Sequence, residues 1–343
     1  MTVVKSANTS IRHLLLAVDG TNSAEWRDKH GQNSHVLRFY NDFGGWRRKY
    51  KDGPGTFGTD TYVLIQEGLS WIIQEMNNLI RTGISQENIK LNLVGHSRGG
   101  FVVMKIAEYL RSHTLTFDRR NYQNRSYEEV SINKSKHQLD KETNLRYPVR
   151  INFMGLYDPV DSAGGLDCDL TTPYVDHVVN VVRDNPGKLS EVFGSIHKVS
   201  RPLMFNSLIL KSGELFRFDT SHGGIGGDPG FFVNPYANPI SNDHYCNAMP
   251  LILSDEELKV LAGFTDFTLS EEHKYNRMIQ IKRFWNESRM ADQVIRNAAT
   301  SAGPSIPLCS INQFVPWQAK DNEYGNRLRR VMDLNYNPMK VYV

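Results

Sequence analysis

Cysteine is scarce in this chain: there are 3, Cys168, Cys246 and Cys309, in 343 residues. They are far apart and odd in number, and none belongs to a CxxC pair or a His-rich cluster at metal-ligand spacing. That excludes a disulfide framework and asks for no zinc; free, mostly buried thiols in a reducing compartment are expected. An excess of one charge is also missing. Lys and Arg total 40 against 37 Asp and Glu, a formal net charge of +3, too near balance to give the footprint of a nucleic-acid binder. No apolar run approaches the ~20 residues of a membrane-spanning helix. The early run "RHLLLAVDG" is too short for a secretory signal and ends in a turn rather than a cleavage site. The chain is therefore expected to be cytoplasmic as synthesised, with signal-independent export left open. Internal repeats and low-complexity tracts are absent too. No spacing calls for a cofactor or a metal.

What the sequence has is a series of short apolar runs that end in Gly or Asp turns. His13–Thr21, Ile89–Gly95, Val149–Asp158, Asp176–Asp184 and Glu214–Gly224 read as strands or strand exits. Between them, Thr61–Ile80 places Val63, Leu64, Leu69, Ile72, Ile73, Met76, Leu79 and Ile80 at three-four spacing, the pattern of an amphipathic helix. Phe101–His113 is a second helix. Strands separated by helices predict an α/β fold, a mostly parallel sheet with helices on both faces. Residues 114–147 are polar and without apolar period; they read either as a lid over a binding site or as a disordered loop. From about Ser254 onward the pattern is helical. The expected organisation is a catalytic core over 1–253 carrying the 114–147 insertion, and a helical C-terminal region over 254–343 packed on it. The basic run "WRRKYK", Trp46–Lys51, reads as a solvated face or as a meeting point for an anionic surface.

The informative stretch is "LNLVGHSRGGF", Leu91–Phe101. Gly95-His96-Ser97-Arg98-Gly99 fits G-x-S-x-G, between a buried-type strand and a helix. That context makes the serine a nucleophile elbow: the chain turns sharply, the serine stands at the apex, and Gly95 and Gly99 leave room for the turn. The turn sets Oγ beside a helix N-terminus whose N–H groups can receive an oxyanion. A serine of this kind needs a base and a group that orients the base, in the chain order Ser, acid, His. Asp158 ends the strand "INFMGLYDPV"; Asp161 and Asp219 are its competitors. His222 follows a late strand in "FRFDTSHGGIGGDPG", where Gly223, Gly224, Gly226 and Gly227 let the segment bend. His177 falls inside a strand and His197 inside a helical pattern, so His244 is the remaining rival. "GGIGG" is not read as a phosphate cradle, because no P-loop Lys follows it. One oxyanion donor is the N–H of Arg98; the second is assigned to Gly20 or Thr21 in the exit of the first strand, with Asp19 holding that loop.

Four stretches, "AVDGTNS", "GHSRGG", "MGLYDPV" and "SHGGIGG", together resemble a bacterial α/β-hydrolase family of uncharacterised domains that includes type VI secretion phospholipase effectors. "YKDGPGTFG" is similar to a glycine-rich segment after that family's second strand. The likeness runs from about residue 14 to 230 in the family's order, with His96 standing where small or aromatic residues also occur. It implies an α/β-hydrolase-like fold, Ser97, Asp158 and His222 at the triad positions, and hydrolysis of a carboxylic ester. Phospholipid acyl chains are then the leading substrate class, with peripheral membrane contact. The alternatives are an esterase or amidase for small soluble substrates, and a non-catalytic binding protein on the same scaffold. No secretion or immunity partner is named by the sequence.

Overall fold

The computed structural model describes residues 10–21, 34–55, 60–111, 149–160, 170, 175–183, 208–218, 220, 222–227, 270–309 and 339–342. The insertion at 114–147, His197, His244, Asp161, Asp219, and the tail segments at 254–269 and 310–338 lie outside these residues.

Strands β1 (Arg12–Val18), β3 (Ile89–His96), β4 (Ile151–Tyr157) and β5 (Val175–Arg183) are the centre of a sheet. Strand β2 (Arg47–Lys51) lies at one edge, and β6 (Glu214–Phe218) with β7 (Met339–Tyr342) at the other, in the order β2-β1-β3-β4-β5-β6-β7. The pairings from β2 to β6 are all parallel, while β7 runs antiparallel to β6. Central parallel strands are covered on both faces, which is why β1 and β3 read as near-continuous apolar runs. Alternation still sorts their side chains. Leu14, Leu16, Val18, Leu91 and Leu93 belong to one core with α2 (Thr61–Arg81) and α3 (Ser97–Arg111). Leu15, Ala17, Val94, Phe153 and Tyr157 belong to the other, with α1 (His35–Asp42) and α5 (Glu271–Thr300). A short helix, α4 (His222–Gly226), follows β6.

Strand order reverses between β1 and β3: the chain leaves β1 for β2 on one side and returns to β3 on the other. The exits of these two strands are therefore a topological switch point, the crevice where open α/β sheets place their ligands.

One element adds to the sequence expectation and one departs from it. "RRKYK" is the edge strand β2, paired with β1 from Leu14↔Arg47 to Val18↔Lys51. Arg48, exposed like Arg47 and Lys49 beside it, donates to the carbonyl oxygens of Tyr40 at 2.7 Å, Asn41 at 2.6 Å and Phe43 at 3.1 Å, serving the last carbonyls of α1 and its cap. The C-terminal region, expected to be helical throughout, ends in strand β7 at Met339–Tyr342. Four residues are too few for a strand period to register, but they complete the pairing of β6 from Glu214↔Tyr342 to Arg217↔Met339.

Helix α5 binds the sheet through a buried ionic cluster as well as through Ala291, Ile295 and Ala299. Asp292 accepts hydrogen bonds from Tyr157 Oη and Arg296 Nε, both at 2.9 Å, and Arg296 also reaches Asp42 on α1 at 2.6 Å. His35 on α1 is fully buried; its Nε2 lies 3.0 Å from Ser288 Oγ, and its Nδ1 lies 3.4 Å from Arg38 Nη1 and 3.8 Å from Asp292. Burial pulls this imidazole well below its ordinary value, against the opposing pull of Asp292. It is therefore neutral, and with Arg38 donating to Nδ1 its proton sits on Nε2.

The folded His35 takes up a proton far less readily than an unfolded one, so its contribution is complete above about pH 6.5 and is lost as pH falls below that value. Urea unfolding between about pH 4.5 and 7 is expected to lose up to ~1.4 kcal/mol per pH unit from this group. His35→Gln should flatten that slope, and an unchanged slope in a folded variant would show that His35 does not carry it.

Candidate active site

Three strand exits supply the side chains. β3 ends at His96, and Ser97 opens α3 with no residue between them. Ser97 has φ 55°, in the left-handed region that costs a non-glycine residue energy. The turn is tight enough to require glycine beside it. A Cβ on Gly99 would stand 2.1 Å from the carbonyl oxygen of Asp19, so the start of α3 presses directly against the exit of β1. Ser97 is 4% exposed.

Asp158 follows β4 directly and is fully buried. It also has a positive φ, 41°, which swings the carboxylate out of the strand direction while its N–H still donates to Val181 O at 2.7 Å. His222 opens α4 after β6. The glycine-rich segment that reads as a turn in sequence is a single helical turn over His222–Gly226, with its glycines buried.

The three side chains meet. His222 Nε2 is 2.7 Å from Ser97 Oγ, and His222 Nδ1 is 2.7 Å from Asp158 Oδ2. A carboxylate only accepts, so pairing with Asp158 puts the imidazole proton on Nδ1 and leaves Nε2 to accept from the Ser97 hydroxyl.

Two further groups hold this arrangement, and the sequence reading did not assign them. His96 Nε2 lies 3.2 Å from the carbonyl oxygen of His222, its N–H donating. The two rings are tilted by 33° with centroids 5.0 Å apart. The His96 ring is so close to α4 that a Cβ on Gly226 would meet it at 2.2 Å. Arg183, the last residue of β5, places Nε 3.2 Å from Asp158 Oδ2. The only sequence sign of Arg183 is a charge closing an apolar strand; its proximity to Asp158 depends on β4 and β5 being neighbours.

The loop after β1 is held by Asp19, 1% exposed. It accepts from Tyr50 Oη at 2.8 Å, from its neighbour Gly20 N at 2.7 Å, and from Ser34 Oγ. The Gly20 amide is thus directed at Asp19. The Thr21 hydroxyl is buried and makes no hydrogen bond among the described residues. Arg98 lies in the first turn of α3, where N–H groups have no carbonyl of their own helix to meet. Its side chain donates to Gly55 O at 3.1 Å. Burial lowers the guanidinium below its ordinary value and the charge of Asp60 opposes this. Among the described residues, no group of His, Cys, Asp and Glu could hold a metal ion, and no helix is long and apolar enough to cross a membrane.

No family model matches this sequence, and no curated protein matches it. Solved structures similar at low identity include the following two. One is an uncharacterized protein from Pseudomonas aeruginosa, 12% identical with a TM-score of 0.38, over 96% of this chain and 64% of that one. The other is the Tle1 effector bound to the VgrG spike from the Type 6 secretion system, 13% identical with a TM-score of 0.37, over 64% of this chain and 51% of that one. This chain therefore spans less than two thirds of the length of either.

Proposed function

We propose that this chain is a serine hydrolase of α/β-hydrolase type that cleaves carboxylic esters. The observation that carries the reading is the continuous hydrogen-bonded chain Ser97–His222–Asp158, with both links at 2.7 Å. Its members stand beside the switch point and follow the order Ser, acid, His along neither a single helix nor a single loop but three separate elements. A chance cluster has no reason to pair the strained serine of an elbow with a histidine whose tautomer is already set.

In this mechanism Ser97 Oγ attacks the ester carbonyl carbon as its proton passes to His222 Nε2. Asp158 stabilises the imidazolium. The carbonyl oxygen becomes an oxyanion held by the N–H of Arg98, with Thr21 as the second donor, since the Gly20 amide is turned to Asp19. Collapse breaks the ester C–O bond, and the imidazolium gives its proton to the departing alcohol. Water, deprotonated by His222, then attacks the acyl carbon; the bond to Ser97 Oγ breaks, the imidazolium returns its proton to Oγ, and the acid is released.

The leading substrate class is the acyl ester of a lipid or phospholipid, on the family resemblance of the four motifs. Small soluble esters or amides use the same chemistry and are the alternative. A fluorophosphonate probe tests the nucleophile and the base together. Wild type is expected to label, Ser97→Ala and His222→Ala to lose labelling, and His244→Ala to keep it. Labelling that persists in Ser97→Ala would remove that residue from the role. Turnover compared across short p-nitrophenyl esters and phospholipid vesicles then decides the substrate class, and activity confined to soluble esters would end the phospholipase reading.

A further inference from the structure

Asp158 Oδ2 faces two partners at once. His222 Nδ1 lies 2.7 Å from it on one side, and Arg183 Nε lies 3.2 Å from it on the other. Both the carboxylate and the guanidinium are removed from water, at 0% and 11% side-chain exposure. A buried carboxylate beside a neutral imidazole is costly unless a cation accompanies it. β5 supplies that cation because its C-terminal end is the immediate neighbour of the β4 exit, where the N–H of Asp158 joins Val181 O at 2.7 Å.

We infer that Arg183 is a positioning residue that sets the proton affinity of the Asp158–His222 pair, keeping His222 unprotonated and ready to act as base at a lower pH than the pair alone would allow. The inference rests on the hydrolase reading of Ser97, His222 and Asp158.

The resting site has one negative charge, on Asp158, and Arg183 balances it. When the imidazole takes up a proton, from water or from Ser97, a second positive charge arrives at the same carboxylate. Arg183 then opposes it. Removing the guanidinium makes the pair bind its proton more tightly, whichever of the two groups holds it. The direction does not depend on how the proton is shared. Of the other charged and titratable groups around the pair, His96 touches it without reaching the carboxylate, and the rest are engaged elsewhere. His96 on β3 lies ring to ring with His222. Arg98 on α3 is engaged with Gly55 and faces Asp60. On α1 and α5, His35, Arg38, Arg289 and Arg296 gather about Asp292 and Tyr157. Among the described residues, Arg183 is the cation that meets the carboxylate oxygen used by His222.

The test is the pH dependence of the fluorophosphonate labelling rate, measured beside the melting temperature of each protein. In Arg183→Gln the acid limb of the profile should move to higher pH by about one unit, slowing labelling by up to about tenfold on that limb. Arg183→Lys, which keeps the charge, should bring the limb most of the way back. Arg183→Met fills the same volume without charge and serves in place of glutamine if that variant does not fold. A folded Gln or Met variant whose acid limb is unmoved, or moved to lower pH, overturns the inference while leaving the nucleophile assignment intact. So does a folded variant that labels at no pH, since Arg183 would then be required for the geometry rather than for the proton. Wild type that fails to label at every pH sinks the hydrolase reading, and this inference with it.

Discussion

Ser97→Ala is expected to lower ester turnover by about 10⁴-fold or more while leaving the melting temperature within a few degrees of wild type. The loss is large because in the proposed mechanism Oγ forms the bond that divides one difficult hydrolysis into two easier steps, and alanine has nothing to attack with. The fold should tolerate the change. Alanine removes one oxygen from a side chain that is 4% exposed; it inherits a φ of 55° that serine already endures. His222→Ala should lose a similar amount, because without a base the hydroxyl keeps its proton. The double variant should be little worse than either single one, since the groups work as a unit and the second removal takes away nothing still in use. Steady-state rates on one short-chain p-nitrophenyl ester measure all three. Losses that multiply in the double variant, or a single variant within about tenfold of wild type, would show that the 2.7 Å links are structural rather than chemical.

The parts of this site that the sequence made legible share a physical cause. Elbow and acid each stand at the end of a central strand, where an apolar run stops abruptly at Ser97 and at Asp158, while the histidine follows β6, a half-buried strand nearer the edge. Burial on both faces produces those runs. The parts that escaped lack that cause. β2 is an edge strand, and edges carry charge to discourage further pairing, so "RRKYK" resembles open surface. Helix α1 has 8 residues and buries His35 and Arg38 among its apolar positions, which spoils the period that would announce it. Arg183 and His96 are invisible for another reason. Their roles depend on which strands are neighbours and on how closely α4 lies against β3, and pairing of that kind is written in no local pattern. The insertion at 114–147 and His244 fall outside the described residues, so the lid reading and the rival base pass to experiment.

Asp292→Ala is expected to destabilise the fold by about 3–5 kcal/mol, which for a chain of this size lowers the melting temperature by on the order of 10 °C. The argument is one of charge left behind. Asp292 is fully buried on α5 and is the anion of a cluster that includes Arg296 at 2.9 Å and Arg289 at 3.8 Å. It also accepts the proton of the buried Tyr157 hydroxyl at 2.9 Å. Burial by itself would raise this carboxyl, but the guanidinium groups of Arg296, Arg289 and Arg38 hold it well below the usual carboxylate range. Alanine takes their shared anion from the guanidinium groups and its acceptor from the Tyr157 hydroxyl in a dry interior, with Asp42 still held by Arg296, and a cavity adds to the cost. Because the folded carboxyl is depressed, its contribution is complete above the unfolded carboxylate range near pH 4 and is lost as pH falls. The variant's deficit should therefore be full at neutral pH and shrink in acid. The same residue reaches the proposed chemistry through one covalent step. Tyr157, which it holds, immediately precedes Asp158, so releasing Tyr157 loosens the strand exit that aims the carboxylate at His222. Asp292→Asn keeps the shape and an acceptor for Tyr157 but not the charge, and should fall between wild type and alanine in urea unfolding at pH 7. Equal stability of the three proteins would mean that the cluster is neutral in its net effect and that α5 is held by Ala291, Ile295 and Ala299 alone.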